Sequence, residues 1–315
     1  MSADKKRFRV FIDGREGTTG LQIEDRLKQR PDVELLDIDP DKRKDVAERR
    51  RLLNAADVAF LCLPDKAAVE AAELMENQDT ILIDASTAHR TSPGWAYGFA
   101  ELSKAHRQAI ATSKRIANPG CHASGVIAAA YPLVQAGLLP KDYPLSAHSI
   151  TGYSGGGKKM IAQYEAADRD AALDSPRQYG LGLNHKHLPE IQAQLGLATP
   201  PVFNPIVCDF YAGMAVSLPL VASHLKGHPS RKQLEEIYTA HYQGAAFLRV
   251  EPAPQDGFLP ANLLTGTNRM GIYVLGNDEL MTVVCVFDNL GKGASGAAVQ
   301  NMNIALGLPE DHYLQ

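Results

Sequence analysis

Four strand-length apolar runs, separated by helical stretches, constrain this chain more than any other feature. Arg7 to Ile12 reads as a strand, Val33 to Ile38 as a second, Asp57 to Leu63 as a third and Thr80 to Ala85 as a fourth. Leu21, Ile23 and Leu27 lie at helical spacing between the first two, and Ala-rich Pro64 to Asn77 lies between the last two. The third and fourth runs are apolar at their hearts, Val58 to Leu63 and Ile81 to Ile83, rather than alternating. Such strands need cover on both faces, which parallel sheets receive from their crossover helices. The expectation is an α/β fold with a Rossmann-type doubly wound sheet. Ligands of such sheets bind beyond the carboxyl ends of the strands.

Three segments fall at that edge. Gly14, Gly17 and Gly20 form a G-x-x-G-x-x-G turn, with Thr18 and Thr19 inside it, between the first strand and its helix. Glycines there let backbone approach a pyrophosphate at a helix N-terminus. The spacing departs from G-x-G-x-x-G, so a plain βα turn packed by glycine stands beside this reading. Asp37 or Asp39, near the end of the second strand, suits a ribose 2′-hydroxyl and hence NAD. Lys42-Arg43-Lys44 follows at once and suits the 2′-phosphate of NADP, or is a solvated helix start. The third segment is Ser86-Thr87-Ala88-His89-Arg90, where Arg90 is an anion contact or a loop arginine.

Asn118-Pro119-Gly120-Cys121-His122-Ala123-Ser124-Gly125 joins another short apolar piece to a long apolar run. Asn118 suits an N-cap and Pro119 the first helical position. Cys121 then falls in the first helical turn, where unpaired N–H groups and the helix dipole favour a thiolate. A small buried cysteine is the plainer alternative. Gly152-Tyr153-Ser154-Gly155-Gly156-Gly157-Lys158 resembles a P-loop, but Lys159 stands where Ser or Thr would hold magnesium. A phosphate-holding loop without metal, or a surface loop, fits better than a phosphotransferase. His185-Lys186-His187 precedes a Pro-initiated helix. It has no third ligand at convincing local spacing, so no metal is expected, and an acid/base histidine fits a reactive cysteine. Later runs, Val202 to Ser223, Phe247 to Val250, Ile272 to Leu275 and Leu280 to Phe287, read as an α+β domain. The last helix, Ala297 to Leu306, is expected to return to the first domain.

Composition excludes several classes. The net charge of −4 is not that of a nucleic-acid binder. No apolar stretch reaches the ~18 residues of a membrane span. Met1 to Arg9 has no apolar signal core, and four scattered cysteines form no C-x-x-C pair, so a reducing cytoplasm is expected.

Taken together, Gly14–Gly20, Asn118–Cys121, the Ser154 loop, His185-Lys186-His187-Leu188-Pro189-Glu190 and Asp288-Asn289-Leu290-Gly291-Lys292-Gly293 resemble the N-acetyl-gamma-glutamyl-phosphate reductase family. These are NADPH-dependent semialdehyde dehydrogenases of arginine biosynthesis. His122 and Ala123 depart from the aromatic residue and proline that members often carry, and Thr18 stands where the glycine loop usually has an aromatic residue. The resemblance implies a dinucleotide-binding domain at 1–117 and 290–315, and a catalytic and oligomerisation domain at 118–289. It implies Cys121 as nucleophile and His185 as acid/base, with His187 the fallback. NADP would lie on Gly14, Gly17, Thr18, Thr19 and Gly20, with Ser86 and Asn289 toward the nicotinamide. Asn118, Ser154, Gly155, Lys158 and Glu190 would meet the acyl-phosphate substrate, in a homodimer or homotetramer. The rivals are an aspartate-semialdehyde dehydrogenase and a non-catalytic dinucleotide sensor.

Overall fold

The computed structural model describes residues 7–315; residues 1–6, part of the leader reading above, lie outside the described residues. The chain divides into two compact units. One runs to Pro119 and takes in Ala294–Leu314; the other is Gly120–Gly293 with Gln315.

The first unit carries six strands: β1 (Phe8–Asp13), β2 (Val33–Leu36), β3 (Val58–Leu61), β4 (Ile81–Asp84), β5 (Ala96–Tyr97) and β6 (Arg115–Ala117). Their order is β2-β1-β3-β4-β6-β5, and every neighbouring pair is parallel. β3 and β4 are buried at every position, the charged end of β4, Asp84, included, as central strands of a parallel sheet are. The helices are α1 (Thr18–Leu27), α2 (Val46–Ala55), α3 (Asp65–Glu73) and α4 (Lys104–Thr112). Asp45 caps α2 through the Glu48 N–H, and Ser103 caps α4 through the His106 N–H. The N-cap of α1 is Gly17, which has no side chain to do this. The glycine turn leaves little room: a Cβ on Gly14, at φ +83°, would lie 2.3 Å from the Cys62 carbonyl oxygen. On Gly20 it would lie 2.7 Å from the Gly14 oxygen.

The second unit holds α5 (Cys121–Gln135), α6 (Gly157–Glu165), α7 (Leu188–Leu195) and α8 (Arg231–His241). Its strands are β7 (Ser146–Gly152), β8 (Arg177–Gln178), β9 (Val202–Cys208), β10 (Met214–Val221), β11 (Leu248–Val250), β12 (Met270–Gly276) and β13 (Leu280–Phe287). They form one mixed sheet, β11-β12-β13-β10-β7-β9-β8. The β12–β13 hairpin turns at Gly276, whose φ of +101° only glycine adopts readily. After β13 a π-turn, Gly291–Ser295, leads into α9 (Gly296–Ala305), which packs on α4, β4 and α1.

α5 begins two residues later than the capping pattern predicts. Its N-cap is Gly120 and Cys121 is its first residue. Asn118 cannot serve as the cap because it is otherwise engaged. Its backbone N–H extends the β6 pairing to the Asp84 carbonyl, its Nδ2 donates to the Ala294 carbonyl, and its Oδ1 accepts from Asn301. α5 packs on β10 and β13, with Gly125 so close that a Cβ would fall 2.4 Å from Val216 Cγ2. Pro132 lies inside α5 and cannot donate to the Ala128 carbonyl one turn back. Tyr242 Oη donates to that carbonyl at 2.8 Å, and Tyr238 Oη to that of Ala129, so the interruption leaves no buried acceptor unmet.

Candidate active site

Cys121 heads an apolar, almost wholly buried helix that lacks a side-chain cap. Its first-turn amides are therefore available to a negative charge. One neighbouring group is committed. The Gly120 N–H donates to Glu190 Oε2 at 3.1 Å, and Glu190, on α7, is buried. Glu190 thus ties the turn before Cys121 to α7. Gly293 closes the other side, where a Cβ would come within 3.0 Å of Cys121 Cβ. Cys62 and Cys285 contrast with this setting. Burial drives both thiols up, Cys62 to about 12, which leaves them protonated and inert.

Around the start of α5 the second unit gathers three imidazoles and a phenol. The His122 ring lies 5.4 Å from that of His185, 5.7 Å from His187 and 6.1 Å from Tyr179; His185 and His187 are 4.7 Å apart. Phe203, from the inward face of β9, closes the cluster at 5.3 Å from His122. His122 Nδ1 is 2.7 Å from Ser149 Oγ, and Nε2 is 2.6 Å from Tyr179 Oη. Among the described residues no group of three or more His, Cys, Asp or Glu is arranged to hold a metal ion.

Burial, reinforced by the charges of His185 and Lys186, pushes the His122 pKa down to about 3. Burial, with Lys186 beside it, pushes His185 down to about 4. Both rings are neutral at neutral pH. His185 Nδ1 accepts the His187 backbone N–H at 3.2 Å, which places the neutral ring's own proton on Nε2. A stability test follows from the sign of these shifts. Between the folded and unfolded pKa values the unfolded chain binds the extra proton. The stability is present above about pH 6.5 and is lost as pH falls toward the folded value. For His122 the slope approaches about 1.4 kcal/mol per pH unit once the unfolded imidazole is charged. Urea unfolding between pH 7.5 and 4.5 should show this loss, and His122→Gln should flatten it. Equal slopes would exclude His122 as its source.

The other expected site residues fall in two groups. In the second unit, Ser154 is buried and its Oγ accepts from Asn289 Nδ2 at 3.0 Å, while Asn289 Oδ1 accepts the Gly213 N–H. Gly155 and Lys158 are exposed, Lys158 in the first turn of α6. Lys292 is buried next to Gly293. Arg177, which leads to Tyr179, donates to Tyr164 Oη and has a buried Nε without a partner. Arg177, Ser149 and Tyr179 were not marked as functional by sequence reasoning, because no local motif singles them out.

In the first unit, the uncapped start of α1 presents backbone N–H groups at Thr18, Thr19 and Gly20, the Gly17 N–H being donated to the Gly14 carbonyl, and Thr18 Oγ1 is buried without a partner among the described residues. These features suit a dinucleotide phosphate. Ser86 is held in its turn, its Oγ donating to Asp84 Oδ2 at 2.7 Å, and His89 Nδ1 meets the same carboxylate at 2.6 Å. Arg90 is buried rather than on the surface, donating to the Asn118 and Ala85 carbonyls. Arg43 reaches back to Glu16 in the glycine turn at 3.1 Å, and Arg15 of that turn pairs with Asp37. The basic run and the glycine turn are therefore side by side.

Comparison with known proteins adds to this geometry. Residues 9–111 match the family described as "Semialdehyde dehydrogenase, NAD binding domain", and residues 121–289 match "Semialdehyde dehydrogenase, dimerisation domain". An N-acetyl-gamma-glutamyl-phosphate reductase 2 from Nostoc sp. (strain PCC 7120) is 46% identical over 315 residues, covering 96% of this chain and 98% of its own length. An N-acetyl-gamma-glutamyl-phosphate reductase from Chelativorans sp. is 49% identical over 305 residues, covering 95% and 98%. The crystal structure of aspartate semialdehyde dehydrogenase II from Vibrio cholerae is similar in fold, with a TM-score of 0.71 over 96% of this chain and 99% of that one, at 15% identity.

Proposed function

The chain belongs to the N-acetyl-gamma-glutamyl-phosphate reductases within the semialdehyde dehydrogenases, and from that premise we propose how its own residues carry out the reaction. The protein reduces N-acetyl-L-glutamyl 5-phosphate to N-acetyl-L-glutamate 5-semialdehyde, releasing phosphate, in arginine biosynthesis. The observation that carries the mechanism is Cys121 at the first position of the uncapped α5, beside the imidazole cluster.

The Cys121 thiolate attacks the acyl carbonyl, the C–O bond to phosphate breaks, and a thioester remains on the sulfur. When bound, the dinucleotide supplies a hydride to that thioester. The resulting oxyanion collapses to the aldehyde and returns the electron pair to Cys121 sulfur. No proton is needed at carbon or sulfur, so a neutral His185 suffices. Its Nε2–H donates a hydrogen bond to the oxygen in both tetrahedral states, together with the first amides of α5. Ser154, Gly155 and Lys158 hold the leaving phosphate. Asn118 and Glu190 act at one remove, fixing the backbone before Cys121.

The cofactor is NADP. Arg15 pairs with Asp37 just past β2 and Arg43 with Glu16 in the glycine turn, and both have carboxylate partners that a 2′-phosphate can displace. A homodimer forms through the outer face of the seven-stranded sheet, where Ile150, Val202, Val221 and Leu280 are exposed.

The testing assay runs the reaction backward, following reduced-nicotinamide absorbance with N-acetylglutamate semialdehyde, phosphate and NADP. Activity should require phosphate and should fail when aspartate semialdehyde is substituted. Arg43→Ala should lower kcat/KM for NADP by about 10-fold or more, the worth of one charge-assisted hydrogen bond, and leave the NAD value within about twofold. Equal losses with both cofactors would remove Arg43 from 2′-phosphate recognition. Activity without phosphate would reject the acyl-phosphate reading.

A further inference from the structure

Ser149, His122 and Tyr179 form a chain of hydrogen bonds that ends beside the nucleophile. Ser149, on the inward face of β7, is fully buried, and among the described residues its hydroxyl has one hydrogen-bond partner, His122 Nδ1. A buried hydroxyl proton needs an acceptor, and here only Nδ1 can accept it. Nδ1 then carries no proton of its own. The neutral ring bears its proton on Nε2, which donates to Tyr179 Oη at 2.6 Å. With its oxygen already accepting, the phenol must direct its own proton elsewhere. Tyr179 Oη makes no other hydrogen bond among the described residues, and Tyr179 is close enough to Cys121 to feel the charge on its sulfur. The reverse arrangement, with Tyr179 donating to Nε2 and Nδ1–H donating to Ser149, would strand the Ser149 proton without an acceptor in a fully buried site, which is unfavourable.

Resting on the covalent reading above, we infer that Tyr179 is a catalytic hydrogen-bond donor to the acyl oxygen held on Cys121, its proton turned toward that oxygen by the one-way chain from Ser149 through His122. His122 and Ser149 are positioning residues. Tyr179 is a donor and not a base, because burial first and the Cys121 charge second raise its pKa well above the ordinary phenol value. The chain does not switch with pH above about 4. His122 stays neutral there, and the other groups facing it and Cys121 are His185, His187 and Lys186 from the loop before α7 and Glu190 on α7.

The test compares Tyr179→Phe, His122→Phe and His122→Gln in the holoenzyme assay. Each rate is normalised to the Cys121 that iodoacetamide labels, read on the Cys121 peptide by mass spectrometry. Tyr179→Phe should lower kcat by about 10²-fold with KM within about threefold, as expected for a donor used in the tetrahedral states. His122→Phe should do nearly the same, because it breaks the hydrogen bond that orients the Tyr179 hydroxyl. His122→Gln, whose amide can both accept from Ser149 and donate to Tyr179, should recover most of the loss. Cys121 labelling should be unchanged in all three. The inference falls if Tyr179→Phe keeps kcat within about twofold, or if His122→Gln is as impaired as His122→Phe once normalised. A wild-type Cys121 that resists iodoacetamide would instead overturn the covalent reading and take this inference with it.

Discussion

Cys121→Ser should leave a folded protein with turnover reduced by about 10⁴-fold or more, the scale seen when a covalent nucleophile is removed. Serine is nearly isosteric with cysteine, and Cys121 is only half-buried at the start of α5, so packing against Gly293 and the Glu190 bond to Gly120 should persist. The chemistry does not persist. A serine hydroxyl remains protonated where a thiol can ionise, and an oxygen ester accepts hydride less readily than a thioester. Thermal unfolding should match wild type, while the assay with phosphate, aldehyde and NADP reads the loss. Near-wild-type turnover in the serine variant would eliminate the thioester and favour direct hydride transfer to the acyl phosphate.

His185→Asn should lower kcat by about 10²–10³-fold, with KM changed little, because the hydrogen bond it removes matters in the tetrahedral states. The pH profile separates a neutral donor from an imidazolium acid. With its pKa near 4, His185 is already neutral across pH 5.5–8, so wild-type kcat should show no fall assignable to this ring as pH rises through 6.5. An acid limb near 6.5 that disappears in His185→Asn would establish the imidazolium instead. A larger loss in His187→Asn than in His185→Asn would exchange the two roles. His187 is buried at the N-cap of α7, so its variant needs a stability measurement beside the kinetic one.

The parallel sheet of the first unit was readable because β3 and the first three positions of β4 are unbroken apolar runs, a pattern set by burial on both faces. The glycine turn was readable because Gly14 and Gly20 sit where a Cβ meets backbone oxygen. The start of α5 was misplaced for a reason local sequence does not hold. Asn118 is an excellent capping residue, but its side chain is taken by Ala294 and Asn301, more than 170 positions away. Glu190, marked as a substrate contact, proved to hold the Gly120 amide. Arg90, read against a default of an exposed loop arginine, is buried among carbonyls.

By itself the sequence determined the fold class of the first unit, the family, and Cys121 with the two histidines as the residues to examine. Those properties reside in local pattern: apolar run length, glycine spacing, and chemically distinctive side chains in a fixed order. Tertiary structure decided the protonation of the site. The neutrality of His122 and His185 comes from desolvation by β9, α5 and the α7 loop, and the direction of the Ser149–His122–Tyr179 chain comes from which buried proton has only one acceptor. Both depend on residues dozens of positions apart meeting in a low-dielectric space, and no spacing rule along the chain encodes that meeting.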